Sequence, residues 1–381
     1  MLLNGSEILL ECLLEQGADT VFGYPGGAVL NIYDALYMYS DKIHHVITAH
    51  EQAACHAADG FARTTGKTGV VIATSGPGAT NLVTGIATAN MDSIPLVAIT
   101  GNVGTSALGL DSFQEVDICG ITMPVTKHNF IVKDVHDLAD TVRKAFYIAN
   151  EGRKGPVLID IPKDITAAKC EFTPKQPQKP VNHNPEDIGE RIAQAAELIK
   201  SSERPFIYAG GGVVSCSAEA ELTEFVKKLD APISLSLMGQ AAFNNKDPHF
   251  VGMLGMHGTK TAALSLKECD LMIVLGSRFS DRVALNTKTF AKHTKVLHVE
   301  IDPAEIGKNV APDCYVNGDL KYVLAELNKA LAQESRPEWM AQVEEWKKTY
   351  ALNMKPIHEA DEVLPCDVIR TLNALAGNNA I

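Results

Sequence analysis

Runs of apolar residues alternate with amphipathic stretches along the first part of the chain. Continuous apolar runs at 69–74, 96–100 and 157–161 predict strands that are covered on both faces. Between these runs, apolar residues recur at helical spacing, as in 6–16 and 51–65. Buried strands that alternate with helices predict a parallel α/β sheet.

A second α/β pattern follows a polar, proline-rich stretch at 173–180, which is typical of a linker. Apolar runs at 205–209, 271–275 and 296–302 predict its strands. The predicted fold class is therefore α/β, with two doubly wound, mainly parallel-sheet domains. The predicted organisation is a first domain at 1–165, a linker at 166–185, a central domain at 186–335, a second linker at 336–364 and the start of a third domain at 365–381.

The composition narrows the class of protein. A formal net charge of −12 argues against nucleic acid or an anionic membrane surface as a main partner, because both attract basic faces. The eight cysteines are scattered without CxxC spacing, so neither a zinc site nor a redox dithiol is indicated. With no secretory signal and no apolar run of transmembrane length, we expect a cytoplasmic protein with reduced thiols.

One carboxylate stands out in the first domain because of its neighbours. Glu51 opens a run of small apolar residues, and a buried strand and a glycine-proline turn at 74–81 (TSGPGATN) follow it. A carboxylate in this setting is expected to be desolvated, and such a group can act as an acid or base near neutral pH. The alternative is a glutamate that only complements the dipole at a helix start.

Glycine turns after predicted strands indicate a nucleotide site in the second domain. Gly276 follows one strand and Glu300 closes the next, which resembles the pairing of a glycine turn for pyrophosphate with an acid for a ribose. The pattern is not a full GxGxxG motif, and the glycines at 210–212 can equally form a tight turn. Arg278 and Arg282 can bind phosphate or pair with acids.

Segments of both domains, taken in order, resemble the thiamine-diphosphate-dependent acetolactate (acetohydroxyacid) synthase large subunits. They are FGYPGGA at 22–28, HEQ at 50–52, TSGPGATN at 74–81, SFQE at 112–115, TKHN at 126–129, GPVLIDIPKD at 155–164, LGMHG at 254–258 and GSRFSDRV at 276–283. The resemblance runs along the whole chain. The last two segments look like the flavin-binding segments that separate this family from its flavin-free relatives.

The resemblance implies roles in the first domain. Glu51 matches the catalytic glutamate, which hydrogen-bonds the aminopyrimidine ring of thiamine diphosphate and promotes formation of the ylid. The ylid attacks pyruvate, CO2 is lost, and the carbanion adds to a second 2-keto acid. The residues that match the pyrimidine side of the cofactor site are Gly26, Gly27, Pro77, Asn81 and Gln114. Phe113 and Lys163 match residues at the substrate entrance, where a cation attracts keto-acid carboxylates.

The resemblance also implies a structural FAD. Arg153 matches a flavin-contacting arginine of the family. Further matches to the flavin-binding segments are His257, Gly276, Ser277, Arg278, Arg282, Glu300, Ile301 and Asp319. Ser280 departs from the aspartate that many members carry, and this difference bears on one polar contact rather than on the site.

The family's Gly-Asp-Gly motif, which binds Mg2+ and the diphosphate and is followed by an asparagine, is not found in this sequence. The nearest match is GDL at 318–320, which lacks the second glycine and already matches a flavin position. No metal ligand is therefore predicted in this chain, and the Mg2+ ligands are expected in a missing domain. We expect a fragment of a longer protein or a site completed by another chain, and we expect the 381-residue chain alone to be inactive.

The leading hypothesis is an acetolactate synthase, a transferase of valine, leucine and isoleucine biosynthesis that uses pyruvate or 2-ketobutyrate. The resemblance implies a homodimer or homotetramer and allows a regulatory small subunit. One alternative is another thiamine-dependent keto-acid enzyme of the pyruvate oxidase or glyoxylate carboligase type. Another is a non-catalytic FAD-binding two-domain remnant. The sequence does not decide between pyruvate and 2-ketobutyrate.

Overall fold

The computed structural model describes residues 1–181, 184–287, 289–351 and 363–377. The chain forms two compact units, Met1–Pro185 and Glu186–Ile381. Each unit contains one six-stranded sheet in which all neighbouring strands run parallel. The predicted α/β class with two parallel-sheet domains is confirmed.

The first unit alternates strands and helices. Its strands are β1 Leu2–Asn4, β2 Thr20–Gly23, β3 His44–Ile47, β4 Gly69–Ala73, β5 Leu96–Asn102, β6 His128–Ile131, β7 Pro156–Pro162 and β8 Lys169–Glu171. Its helices are α1 Gly5–Glu15, α2 Leu30–Met38, α3 Glu51–Thr65, α4 Pro77–Thr80, α5 Val83–Asp92, α6 Ile118–Thr122, α7 Val135–Asn150 and α8 Lys163–Ala167. The strand order in the large sheet is β3-β2-β4-β5-β7-β6.

Helices cover both faces of the first sheet. In β7, Val157, Ile159 and Ile161 pack into one core with α1, α2 and α7, whereas Leu158 packs into a second core with α3 and α5. Successive side chains of a strand point to opposite faces, so a strand buried on both sides is apolar throughout. This arrangement explains the continuous apolar runs in the sequence.

A small antiparallel sheet joins the start of the first unit to its end. β1 pairs with β8, with Leu2 opposite Glu171. β8 lies inside the 166–185 segment that was predicted to be a linker, so that prediction is wrong for this strand. Three-residue strands are too short to show a periodic pattern, which is why neither was predicted.

The second unit repeats the architecture. Its strands are β9 Pro205–Ala209, β10 Ile233–Leu235, β11 Phe250–Met253, β12 Leu271–Leu275, β13 Lys295–Glu300 and β14 Cys314–Asn317. Its helices are α9 Ile188–Lys200, α10 Gly211–Ser215, α11 Glu219–Leu229, α12 Lys260–Glu268, α13 Leu320–Ala330, α14 Pro337–Thr349 and α15 Pro365–Ala376. The strand order is β11-β10-β9-β12-β13-β14, with an apolar core on each face.

Part of the predicted second linker at 336–364 is a docked helix. In α14, Trp339 is 5% exposed, and its Nε1 donates a hydrogen bond to the carbonyl oxygen of Pro205 at 3.0 Å. The rings of Trp339 and Trp346 meet edge to face at 5.8 Å. The sequence at 334–358 is charged and contains tryptophan, which is typical of a helix or a linker, and the structure forms the helix α14 within it. Residues 352–362 lie outside the described part of the chain.

The assignment of 365–381 to a third domain stays a prediction, and residues 378–381 lie outside the described ranges. Of these residues, α15 has no buried side chain. In the described part of the chain, every helix is too short or too polar to cross a membrane.

Candidate functional site

Each sheet has a point at which the order of its strands reverses. In the first sheet the chain runs from β2 outward to β3 and then returns to β4 on the other side of β2. Ligands of open parallel sheets bind at the carboxyl ends of the strands at such a point. Gly26 follows β2 and Gly76 follows β4, so the two glycine turns flank this position.

Glu51 lies at this edge of the sheet as the first residue of α3. It is 8% exposed, and its Oε2 accepts a hydrogen bond from Asn81 Nδ2 at 2.9 Å. A Cβ atom placed on Gly78 would lie 3.2 Å from Oε1, so the turn after β4 closes over the carboxylate. Within the described residues, Oε1 accepts no hydrogen bond. The charge does complement the helix dipole, but the contact with Asn81 gives the carboxylate a fixed orientation as well.

Gly26 and Gly27 differ in their surroundings. A Cβ atom on Gly26 would lie 2.4 Å from the side chain of Thr74, whose hydroxyl accepts a hydrogen bond from the Ala28 N–H at 3.2 Å. A Cβ atom on Gly27 would have no neighbouring atom within 4 Å. Gly26 is therefore required by packing, whereas Gly27 borders open space.

The segment between β5 and α6, residues 103–117, is called the site loop here because it lies against the turn after β4. Gly76 has φ +58°, and a Cβ atom on it would lie 2.6 Å from the carbonyl oxygen of Gln114. Gln114 itself has φ +57°, a conformation that few residues other than glycine adopt. The predicted cofactor residue Pro77 is the first residue of α4 and is part of the same turn.

The two predicted substrate residues are exposed. Phe113, in the site loop, is 87% exposed. Lys163 is the first residue of α8, directly after β7, and its ammonium group makes no hydrogen bond or ion pair with any residue that the structure describes. Asp164, the next residue, accepts a hydrogen bond from the Thr105 N–H at 3.0 Å, so the end of β7 is joined to the site loop beside Lys163.

Two buried polar atoms near Glu51 were missed by the sequence analysis. The rings of Tyr33 and His45 meet edge to face at 5.0 Å, and Tyr33 Oη and His45 Nε2 have no hydrogen-bond partner among the described residues. Burial and the charge of Glu51 raise the pKa of Tyr33, and burial lowers the pKa of His45. A Cβ atom on Gly23 would lie 2.6 Å from Tyr33 Oη. Buried polar atoms usually bind water or a ligand, but no sequence pattern marks this pair.

A buried carboxyl group at the end of β7 was also missed. Asp160 is 1% exposed and accepts hydrogen bonds from Thr100 Oγ1 at 2.7 Å and from Asn102 Nδ2 at 2.5 Å. Burial raises the pKa of Asp160 to about 6, although both hydrogen bonds act in the opposite direction. An aspartate within an apolar strand is the sequence signal that could have identified it.

The second sheet reverses its strand order between β9 and β12, and glycine turns again flank the reversal. Gly276 has φ +55°, and a Cβ atom on it would lie 2.8 Å from Gly212 Cα. The Gly212 N–H donates to the Gly276 carbonyl oxygen at 3.0 Å. The two turns are thus in backbone contact at the carboxyl end of the sheet, and only glycine permits this approach.

The predicted flavin residues of β13 and α13 lie side by side. Glu300 is 7% exposed, and its Oε1 accepts the Ile301 N–H at 2.9 Å. Asn317 Nδ2 donates to the carbonyl oxygens of Glu300 and Ile301 at 2.8 and 3.0 Å. Asp319 caps α13 by accepting the Tyr322 N–H at 2.9 Å.

The segments of His257 and Arg282 also pack together. His257 is exposed, the Met256 N–H donates to the Arg282 carbonyl oxygen at 2.8 Å, and a Cβ atom on Gly255 would lie 2.3 Å from that oxygen. The Arg282 side chain is exposed as well.

A buried histidine supports the turn after β12. His298 is fully buried, and its Nε2 lies 3.1 Å from the carbonyl oxygen of Ser277, to which it can only donate. Burial lowers the pKa of His298 to about 4. Ser277 is 6% exposed, and the neighbouring Arg278 is half-buried.

Arg153 is the last of the predicted site residues, and its role, like the binding of Mg2+, stays a prediction. Arg153 lies in the first unit, where its Nε donates to Ser93 Oγ at 2.9 Å, and its flavin role stays a prediction. Among the described residues, there is no group of three or more His, Cys, Asp or Glu side chains that can hold a metal ion. Mg2+ binding also stays a prediction.

Comparisons with known proteins agree with the two-unit architecture. Residues 3–121 match the "Thiamine pyrophosphate enzyme, N-terminal TPP binding domain", and residues 192–327 match the "Thiamine pyrophosphate enzyme, central domain". Thiamine pyrophosphate is another name for thiamine diphosphate. Glu51, Asn81 and Gln114 fall in the first match, and Gly276 and Glu300 fall in the second.

Similar curated proteins are acetolactate synthases. The chain is 46% identical to the acetolactate synthase large subunit of Parasynechococcus marenigrum, over 98% of this chain and 62% of that protein. It is 47% identical to a probable large subunit of Methanocaldococcus jannaschii, over 91% of this chain and 60% of that protein. It is 44% identical to the acetolactate synthase of Mycobacterium bovis, over 100% of this chain and 62% of that protein. The chain therefore spans less than two thirds of the length of these relatives.

Proposed function

This chain belongs to the thiamine pyrophosphate enzyme family, and from that premise we propose that it contributes the N-terminal and central domains of an acetolactate synthase large subunit. The proposed reaction joins two 2-keto acids with loss of CO2, using pyruvate as the donor and pyruvate or 2-ketobutyrate as the acceptor. Thiamine diphosphate, Mg2+ and FAD are the proposed cofactors. The proposal includes a homodimer or homotetramer, a regulatory small subunit as a further partner, and a cytoplasmic location in branched-chain amino-acid biosynthesis.

The observation that carries this proposal is the setting of Glu51. Its carboxylate is nearly buried, Asn81 holds one oxygen, and the other oxygen accepts no hydrogen bond within the described residues. The open space beside Gly27 lies at the same switch point of the sheet. These residues fit an aminopyrimidine ring, which needs a planar space and a carboxylate that can share a proton with a ring nitrogen.

The residues of this chain would have separate roles at that site. Thiamine diphosphate, when bound, supplies the electron sink that lets a 2-keto acid lose CO2. Glu51 holds or moves a proton at Oε1, while Asn81 fixes Oε2 and so orients the carboxylate. The turn over Glu51 limits the access of water. Lys163 is exposed, and its positive charge attracts the carboxylate of an incoming keto acid.

FAD is proposed for the second unit. The contact between the turns at Gly212 and Gly276 lies at the strand-order reversal, and the acid Glu300 closes the neighbouring strand. This arrangement fits a dinucleotide, whose pyrophosphate approaches a glycine turn and whose ribose binds an acid. Flavin fluorescence quenching, titrated with the wild-type chain and with Gly276→Ala, tests the proposal. We expect saturable quenching by the wild-type chain and a dissociation constant for FAD that is at least tenfold higher for the variant. The absence of quenching by the wild type would refute the proposal.

A product assay tests the proposed reaction. The protein expressed from its complete reading frame is incubated with pyruvate, thiamine diphosphate, Mg2+ and FAD, and acetolactate and H2O2 are measured. A parallel reaction with glyoxylate is assayed for tartronate semialdehyde. We expect acetolactate as the main product. H2O2 or tartronate semialdehyde as the main product would instead support a pyruvate oxidase or a glyoxylate carboligase.

The same assay addresses the two remaining expectations. We propose that the 381-residue chain alone is inactive, and measurable acetolactate from it would contradict this. A protein that binds FAD but yields none of the three products, and whose stability thiamine diphosphate does not change, would be a non-catalytic flavin-binding module.

A further inference from the structure

The carboxyl group of Asp160 is buried without a cation. It is 1% exposed, and its two side-chain partners, Thr100 and Asn102, are neutral donors. No Lys, Arg or His side chain of the described residues hydrogen-bonds to it or forms an ion pair with it. A buried carboxylate with only neutral donors is costly when it is ionised.

Asn102 connects this buried group to the site loop. Its Nδ2 donates to Asp160 Oδ2 at 2.5 Å, and its Oδ1 accepts the N–H of Val103, the first residue of the loop, at 2.8 Å. The second contact fixes the orientation of the amide, because a flipped amide would present a donor to the Val103 N–H. Asp164 holds the loop two residues later, at Thr105.

The rest of the site loop is braced internally. The carboxylate of Glu115 accepts the N–H groups of Gly109 and Ser112, and Ser112 Oγ donates to the carbonyl oxygen of Ala107 at 2.9 Å. The Ala107 N–H also donates to the carbonyl oxygen of Gly104 at 2.8 Å, so we expect a displacement at Val103 to reach the residues beside Glu115. Those residues are the exposed Phe113 and the Gln114 that touches Gly76.

We propose that Asp160, acting through Asn102, is a positioning residue that holds the start of the site loop against the end of β7. The start of the loop is residues 103–105, called the loop root below. The inference rests on the proposed function for its catalytic meaning, since Phe113 and Gln114 are the substrate and cofactor residues of that proposal. The hydrogen bonds themselves do not depend on it.

The charges around Asp160 set the sign of its pH dependence. The carboxylate of Asp117, the last residue of the site loop, and the thiol of Cys119 in α6 interact with Asp160 electrostatically, and β5 contributes only the neutral Thr100 and Asn102. Burial, with a smaller contribution from the charge of Asp117, raises the pKa of Asp160 from 3.8 to about 6. Opening the loop root admits water and returns the pKa toward its ordinary value. Ionisation therefore favours opening, so the start of the loop is held most tightly in acid, and this preference is lost as the pH rises from about 4 to about 6.

Hydrogen exchange at single-residue resolution on the cofactor-free 381-residue chain tests the proposal, with rates divided by the intrinsic rate at each pH. In the wild type, the amides of Val103 and Thr105 should be about tenfold more protected at pH 5 than at pH 7.5. In Asp160→Asn the group is neutral at every pH and still accepts from Asn102. Protection should then be independent of pH and, at pH 7.5, about 10²-fold above the wild type. Helix α7 is the internal control in both proteins.

A second variant tests the connection itself. Asn102→Ala removes the acceptor for Val103 and should lower the protection of that amide at least tenfold at both pH values, with α7 unchanged. Unchanged exchange at Val103 in this variant would overturn the proposal. So would a wild type without the pH step, or an Asp160→Asn variant that is less protected than the wild type at pH 7.5.

The outcomes separate this inference from the proposed function. Exchange is measured without substrate, so it decides the role of Asp160 even if the complete protein makes no acetolactate. If the complete protein is active, Asn102→Ala should raise KM for pyruvate at least fivefold and change kcat less than twofold. A lower kcat with an unchanged KM would contradict a role of Asn102 in positioning the loop.

Discussion

The carbonyl oxygen of Gln114 lies 2.6 Å from the position that a Cβ atom would take on Gly76, so the turn after β4 and the site loop meet backbone to backbone. Gly27, on the other side of the strand-order reversal, faces open space instead. One glycine is therefore explained by packing, and the other has no packing explanation. This difference allows the fold and the proposed cofactor site to be tested separately.

Replacing Gly76 with alanine should destabilise the first unit by about 1–3 kcal/mol, because φ is +58° and the new Cβ would clash with Gln114. Gly27→Ala is the matched control, and it should change the free energy of unfolding by less than about 0.5 kcal/mol. Urea unfolding measures both. Equal destabilisation by the two substitutions would contradict the packing assignment.

Gly27→Ala should nevertheless impair the complete enzyme. If the pyrimidine ring occupies the open space, the added methyl group should raise the concentration of thiamine diphosphate required for half-maximal activity at least tenfold. A cofactor titration of acetolactate formation measures this concentration. An unchanged value would place the ring elsewhere.

Glu51→Gln should lower acetolactate formation by about 10²–10⁴-fold, because the amide can still accept from Asn81 but cannot take up a proton. Glu219 provides a matched control, since it is also the first residue of a helix but lies in the other unit. Glu219→Gln should leave kcat within about twofold of the wild type. Similar losses in both variants would favour a helix-dipole role for Glu51.

We expect Trp339 to stabilise the packing of α14 against the rest of the second unit. Trp339→Ala should destabilise this unit by about 3–5 kcal/mol through the cavity that it leaves. Trp339→Phe should cost less, about 1–3 kcal/mol, because it mainly leaves the Pro205 carbonyl oxygen without its donor. The chain has two tryptophans and both lie in α14, so the fluorescence of the remaining Trp346 reports on the docking of this helix. No change in stability in either variant would contradict the docking of α14 through Trp339.

His298 should make the second unit less stable in mild acid. Its pKa is about 4 in the folded protein and 6.5 ordinarily, so between these values the unfolded chain binds a proton that the folded chain does not. Stability should therefore fall by about 2 kcal/mol from pH 7 to pH 5. His298→Gln keeps a donor toward Ser277 without titrating, and the fall should be smaller by that amount. Hydrogen exchange of the slowest amides in β12 and β13 measures the free energy of unfolding of this unit in both proteins. If this free energy depends on pH identically in the two proteins, His298 does not have this role.

The long elements were predictable because burial on both faces leaves a clear pattern. The strand at 271–275 was predicted with its observed bounds, and so was the helix that begins at Glu51. The fold class followed from the alternation of such elements. The segments between the domains were least predictable, because the pattern of apolar positions is weak there. β8 has three residues, and α14 has only two buried positions, Trp339 and Val343, among charged residues.

The candidate site was predictable only where residue type restricts chemistry. Glycines that must approach another backbone, such as Gly76 and Gly276, were visible in the sequence, as was the unusual setting of Glu51. Tyr33 and His45 were not visible, because their significance depends on a contact between a helix and a strand that no local spacing encodes. The strand pairing that sets Thr100 beside Asp160 is equally non-local.

The pairing of Leu2 with Glu171 has a consequence for protein engineering. The chain enters and leaves the first unit on adjacent strands, so the two ends of this unit can be bridged by a short peptide. Units with neighbouring ends tolerate circular permutation and domain insertion. A permuted unit could have its new termini in the site loop. The loop near Glu51 would then be two free ends, and every strand of the sheet would be kept.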